Sequence, residues 1–387
     1  MTRIIAVSNL FPNRRNPQLG TFNLQEFSAL SKLVDVKVIS PVPMGKFRGV
    51  PGRDIVGEME TFYPRYLWTP KMGRSLYALS LTFPLWQTVK GIIKDGFDPD
   101  LFLAAWCDPD GVATLMVSKI LDKPCIIKAL GTDINLFTKS RLRRRSISWA
   151  LKEADAVISV SYDLKRKIAS LGVDEGKIEV HYNGVDTELF RPMDRSVAIT
   201  KLAERGFPDR IFDGRLILFV GNFYPIKGAR ILIEALSILS KRLLDLKLIL
   251  VGDGPERKEL QELSYKLRLG ERVWFVGRRP HSEIPLWMNA ADLLCLPSLN
   301  EGLPNVILEA HACGRPVVAS DVGGVREILV DGEGGYLCRP TDPKSLAGAI
   351  FKSLRPWNRA KIRAKVEGLS WDENARKILR LARSLRR

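Results

Sequence analysis

The apolar run Leu293-Leu294-Cys295-Leu296-Pro297, continued by Ser298-Leu299-Asn300-Glu301-Gly302-Leu303-Pro304-Asn305-Val306-Ile307-Leu308-Glu309-Ala310, is where the fold reads most directly. Four consecutive apolar residues ended by a proline suit a strand buried on both faces of a parallel sheet. Pro304 fits the first position of a helix, where its missing N–H costs nothing. The backbone N–H groups between Leu303 and Val306 would then point out of the helix start, a natural seat for an anion. Gly302 lets a ligand come close. Glu301 precedes the helix, and Glu309 lies about one and a half turns inside it. A carboxylate accepts two hydrogen bonds from a diol, so carboxylates beside an anion seat suit a ligand with both phosphate and sugar. Glu309 has Leu308 and Ala310 as neighbours and needs a ligand or a basic partner to offset its burial.

Working outward, the same strand–loop–helix unit recurs. Short apolar runs bounded by Gly, Pro or Asp predict strands at 4–7, 36–39, 101–104, 125–129 and 156–160. In the second half they predict strands at 216–220, 247–251, 273–276, 293–296, 316–319 and 335–338. The 229–244 stretch has apolar residues at i, i+3, i+4 and i+7, which predicts a helix. Alternating strands and helices indicate an α/β architecture. The pattern weakens over 191–214, which holds Pro192, Gly206 and Pro208, and a domain boundary is expected there. The expected domains are 1–191 and 192–370, with a terminal helix over 371–387.

The loop Gly221-Asn222-Phe223-Tyr224-Pro225-Ile226-Lys227-Gly228 follows a strand and opens a helix. Ligands of open parallel sheets bind at such strand ends, and Lys227 adds a positive charge there. Gly252-Asp253-Gly254-Pro255 is a second turn after a strand.

The chain has 387 residues, a hydrophobic fraction of 45%, a charged fraction of 27% and a net charge of +17. Length and composition fit two globular domains. The five cysteines make neither a CxxC pair nor a zinc spacing, and read as buried thiols in a reducing compartment. The first apolar run is too short for a signal peptide. The longest apolar stretch, 76–86 (LYALSLTFPLW), is too short to span a membrane and carries Pro84; it reads as a helix or loop. Cations cluster over 139–145 (KSRLRRR) and at Arg376, Lys377, Arg380, Arg383, Arg386 and Arg387. No nucleic-acid reader motif accompanies them, so no nucleic-acid partner is expected. Basic faces beside apolar positions instead suit weak contact with an anionic membrane. The expected location is the cytoplasm, at the inner face of the membrane.

At these residues the chain resembles glycosyltransferase family 4, a retaining family with the GT-B fold. The resemblance is carried by 221–228 (GNFYPIKG), GDGP at 252–255, and 301–314 (EGLPNVILEAHACG) with its E-x7-E pattern at Glu301 and Glu309. Further matches are 316–320 with Gly323, Gly324 and Glu327, and 183–186 (NGVD) with Phe190 and Pro192. Weaker ones are 11–30 around Gly20 and Gly131-Thr132-Asp133.

The resemblance implies two Rossmann-like domains with parallel sheets facing across a cleft and a last helix crossing back onto the first domain. It implies transfer of a sugar from a nucleotide-diphosphate donor to a carbohydrate or lipid-linked acceptor, with retention and with no metal or other cofactor. Lys227 would hold the diphosphate. Glu301 and the positions after it, Gly302, Leu303, Pro304, Asn305 and Val306, would hold the sugar and distal phosphate. Glu309 would bind the ribose, and Gly277 and Arg278 would meet the base. Gly20 would let its loop approach the phosphate, and Asp133 would contact acceptor or sugar. Four positions depart from the family: Asn222 replaces its loop arginine, Leu103 and Ala105 stand where histidines are common, and Leu130 precedes Gly131. These departures motivate a non-catalytic nucleotide-sugar binder as the alternative. An epimerase on the same fold is the other, although His181, His281 and His311 are scattered in sequence.

Overall fold

The computed structural model describes residues 2–45, 49–69 and 73–385; Arg386 and Arg387 of the basic C-terminal cluster lie outside the described residues. The chain forms two compact units, 1–184 with 371–387, and 185–370.

The first unit is built on an eight-stranded sheet. Its spatial order is Ile178–Val180, Ala156–Ser159, Cys125–Ala129, Leu101–Ala105, Arg3–Val7, Asp35–Ile39, Met59–Phe62, Arg53–Val56. All pairs are parallel except the last. Strands such as Leu101–Ala105 and Cys125–Ala129 are buried along their whole length, as continuous apolar runs demand when helices cover both faces. The antiparallel hairpin 53–62 departs from the expected pattern. Gly57 and Glu58, at φ 56° and 66°, form its two-residue turn, whose backbone twist matches that of paired strands. The predicted strand 125–129 also hides a charge: Lys128 is buried against Glu26 of the helix Thr21–Ser31, both 1% exposed.

Because register is parallel, Ile4, Ala6, Leu103, Ile126 and Ile158 point to one face. Phe27 and Leu30 cover that face together with Trp371, Ile378, Leu381 and Ala382 of the terminal helix Trp371–Ser384. Each large side chain so buried contributes about 1.5–3 kcal/mol.

The second unit has a six-stranded parallel sheet in the order Val273–Gly277, Leu246–Val251, Arg215–Val220, Leu293–Leu296, Val317–Ser320, Gly335–Cys338. The helix after its first strand runs Ala229–Leu239, shorter than the expected 229–244. Arg272 donates to the carbonyls of Ser240 and Leu243, satisfying the chain where it turns toward the next strand. The polar stretch expected as a linker, 191–214, is held within this unit. Asn289 accepts from Met193 N and donates to the Arg191 carbonyl, both at 2.9 Å. The helix Arg195–Ala203 packs on the helix Ile284–Ala290. The chain passes between units at 184/185 instead of 191/192.

Candidate active site

In the second sheet the strand order reverses between Arg215–Val220 and Leu293–Leu296, and such a switch point leaves a crevice at the carboxyl ends of the strands. The loops that follow these two strands are stitched together. Leu299 N donates to Ile226 O at 2.8 Å. Gly228, at φ 69°, lies so close that a Cβ would stand 2.0 Å from the Pro297 carbonyl oxygen. This closure brings Lys227 and Glu301 into an ion pair, Nζ to Oε1 2.7 Å, with side chains 32% and 10% exposed. A third loop supports Glu301 from behind. Gly324 N donates to Gly302 O, and a Cβ on Gly323 would meet the Glu301 carbonyl at 2.0 Å.

Gly302, Leu303 and Pro304 are buried, and Asn305 and Val306 are half-buried. The helix starts at Asn305. Pro304, expected inside the first turn, is the extended residue just before it, at φ −79° and ψ 110°. Its carbonyl accepts the first helical hydrogen bond, from Ile307 N. The first-turn amides of any such helix have no partner one turn back. Asn222 is exposed on the 221–228 loop. Gly252 and Gly254 hold that loop: a Cβ on either would collide with the Gly221 or Phe223 carbonyl, and Phe223 N donates to Asp253 O. Gly277 ends the edge strand with its carbonyl accepting from Gly252 N, and Arg278 beside it is exposed.

Glu309 has the basic partner that its apolar flanks demand. His281 Nε2 lies 2.8 Å from its Oε1, with side chains 24% and 13% exposed. The Phe190 ring packs on the imidazole at 5.1 Å between centroids. Burial alone would lower the His281 pKa; the hydrogen bond and charge of Glu309, with Asp186 behind, outweigh it and raise the pKa above 6.5. Sequence reading missed this pair because its members lie 28 residues apart on separate elements. The only signal was the uncompensated environment of Glu309.

In the first unit the corresponding switch lies between Arg3–Val7 and Leu101–Ala105. Gly20, at φ 62°, caps the helix Thr21–Ser31, and a Cβ there would meet the Leu10 carbonyl oxygen at 1.9 Å. The glycine is therefore required by its own loop. Asn23 pins that loop, donating to Leu10 O and Ser8 Oγ.

Asp133 departs from its expected role as a contact to acceptor or sugar. It is fully buried, and its carboxylate accepts from the amides of Leu130, Gly131, Ile134 and Cys107. A carboxylate so surrounded holds two loops together and has no face left for a ligand. Leu103 and Ala105 are fully buried in the core under the terminal helix. Apolar residues there fill the interior. Asp110 accepts from Asn9 N at 2.7 Å. Burial pushes its pKa up to about 8, against that hydrogen bond and with help from Asp108 and Asp133.

Two α/β units, each with a doubly wound sheet, have the GT-B fold. The family model of glycosyl transferases group 1 matches residues 206–367, and that of glycosyltransferase family 4 matches residues 21–189. The chain belongs to this family and is an enzyme of the hexosyltransferase type.

Among its relatives is TuaC of Bacillus subtilis strain 168, a glycosyltransferase named for teichuronic acid biosynthesis. It is 27% identical over 369 residues, covering 90% of this chain and 88% of that one. A D-inositol 3-phosphate glycosyltransferase of a Nocardioides species is 32% identical, over 59% of this chain and 53% of its own. An Anabaena HepE structure with UDP and glucose superposes over the whole of both chains with a TM-score of 0.78 at 23% identity. Sucrose-phosphate synthase from Thermosynechococcus elongatus gives 0.80 at 21%, over 100% of this chain and 99% of that one. At such identities these two structures speak to the fold.

Proposed function

We propose that the enzyme transfers a hexosyl group from a nucleoside diphosphate sugar to a carbohydrate or lipid-linked acceptor, with retention at the anomeric carbon and without a metal. The observation that carries this reading is the Lys227–Glu301 pair at the switch point, beside the start of the helix Asn305–Ala312.

In the reaction the bond from the anomeric carbon to the donor phosphate oxygen breaks, and a bond to the acceptor oxygen forms. The acceptor proton passes to the departing diphosphate. The barrier lies largely in the charge gathering on that diphosphate. Lys227 and the dipole of the helix start would stabilise it in place, and fixed charges of this kind often lower a barrier more than any other single effect. Asn222 can add a hydrogen bond and no charge. Glu301, released from Lys227 by the incoming phosphate, would accept from sugar hydroxyls. Gly302 to Val306 would line the sugar and distal phosphate, with Glu309 toward the ribose and Gly277 and Arg278 toward the base. The relative HepE binds UDP and glucose, which makes a uridine diphosphate hexose the first donor to try. The name of TuaC supports cell-surface polysaccharide or glycolipid synthesis as the setting.

Lys227→Ala should lower kcat/KM by on the order of 10²-fold with the fold unchanged. An unaltered value removes Lys227 from the mechanism. Transfer should continue in excess chelator, and the product's anomeric configuration, read by NMR, should match the donor's. Inversion or a metal requirement would overturn those parts of the reading.

A further inference from the structure

We propose that one helical layer of the first unit docks on an anionic lipid bilayer. The helices Tyr77–Lys94, Val112–Ile120 and Arg141–Glu153 pack side by side. Together they contain one acidic residue, Glu153, which is paired with Lys119. Their cations are numerous and outward. Arg141, Arg144, Arg145 and Lys152 are exposed and line one shallow surface groove with Trp149. None of the four has an acidic partner among the described residues. Only Arg143 turns inward, to a buried pair with Asp108.

The helix Tyr77–Lys94, on the other side of the middle helix, carries the apolar half of the surface. Its buried stripe is Ala78, Leu81, Leu85, Val89 and Ile92. A second stripe at helical spacing faces away from the core: Leu76, Leu79 and Phe83 are 57–60% exposed, and Trp86 continues the line. The rings of Phe83 and Trp86 adjoin at 6.1 Å, and Lys90 lies 4.5 Å over the Trp86 ring. Thr82, on the flank beside this stripe, contacts Met116 of the middle helix, whose last residue, Ile120, is 62% exposed. The stripe therefore leans toward the middle helix, beyond which the arginines lie.

Exposed leucine and phenylalanine would gain nothing against a phosphate backbone, but they can enter the headgroup boundary of a bilayer. There arginines meet anionic lipid, and tryptophans favour the interface. Among the described residues no helix is long and apolar enough to cross a membrane, so the contact is lateral. This inference stands on the first unit and does not depend on the donor-site reading.

The test is flotation of the full-length protein with phosphatidylcholine vesicles, with and without phosphatidylglycerol, and no substrate present. Binding should need phosphatidylglycerol and weaken as salt rises. The R141E/R144E/R145E variant should partition on the order of 10²-fold less. L79S/F83S should lose the binding that persists at moderate salt, while both variants keep the wild-type melting temperature. Absence of wild-type binding at low salt, or wild-type binding by the charge-reversed protein, overturns the proposal. So does binding to duplex DNA that displaces the protein from vesicles and survives L79S/F83S. Loss of K227A activity with vesicle binding intact would bear on the active site alone.

Discussion

His281 and Glu309 show how a single pair answers a question that sequence could only pose. A glutamate between leucine and alanine needs a counter-charge, and the tertiary fold supplies one from a turn after the edge strand. The pair also predicts a pH dependence. The folded His281 pKa lies above its unfolded value of 6.5, so the stabilisation is complete below the unfolded value. It is lost as pH rises through the folded value. His281→Phe should therefore cost ~1.5–3 kcal/mol in urea unfolding at about pH 6 and distinctly less at about pH 9. An equal cost at both would mean that the imidazole is held by packing alone. Asp133 is the reverse case. Its motif was visible in sequence, but a carboxylate used as a four-amide clamp and one used as a ligand contact have the same local sequence. Only the position of Cys107, remote in sequence, distinguishes them.

At the scale of elements, loops are held by backbone approach, and the glycines show where. Gly228 has a positive φ and a carbonyl 2.0 Å from where a Cβ would sit. Gly277 has a positive φ with no atom closer than 3.9 Å. Gly228→Ala should cost at least ~2 kcal/mol and loosen the Lys227 loop, whereas Gly277→Ala should cost only ~1 kcal/mol, the conformational part. Urea midpoints of the two variants decide it, and similar values would refute the steric argument. The E-x7-E helix and the parallel strands were legible because each depends on local periodicity and capping. The hairpin 53–62 was not, since its twist is stored in the φ values of Gly57 and Glu58. The end of the helix at Leu239 was also hidden, because Arg272, which satisfies the turn, is remote in sequence.

For the whole molecule, the division into units makes a prediction about folding. Residues 185–370 are one continuous stretch with their own sheet and core and should fold as an isolated fragment. Residues 1–184 lack Trp371, Ile378 and Ala382, which fill the core under the first sheet, and should not melt cooperatively without 371–387. Cooperative near-UV melting of 1–184 alone would refute this. Sequence by itself determined the α/β alternation, the family and the residues of the E-x7-E segment, because runs of apolar residues, glycine turns and helix starts are written within a few positions of one another. Tertiary structure alone decided that Lys227 meets Glu301, that His281 balances Glu309, that Asp133 is sealed inside, and that the 191–214 segment belongs to the second unit. Each of these depends on which loops the sheet order places side by side, and no local pattern encodes that adjacency.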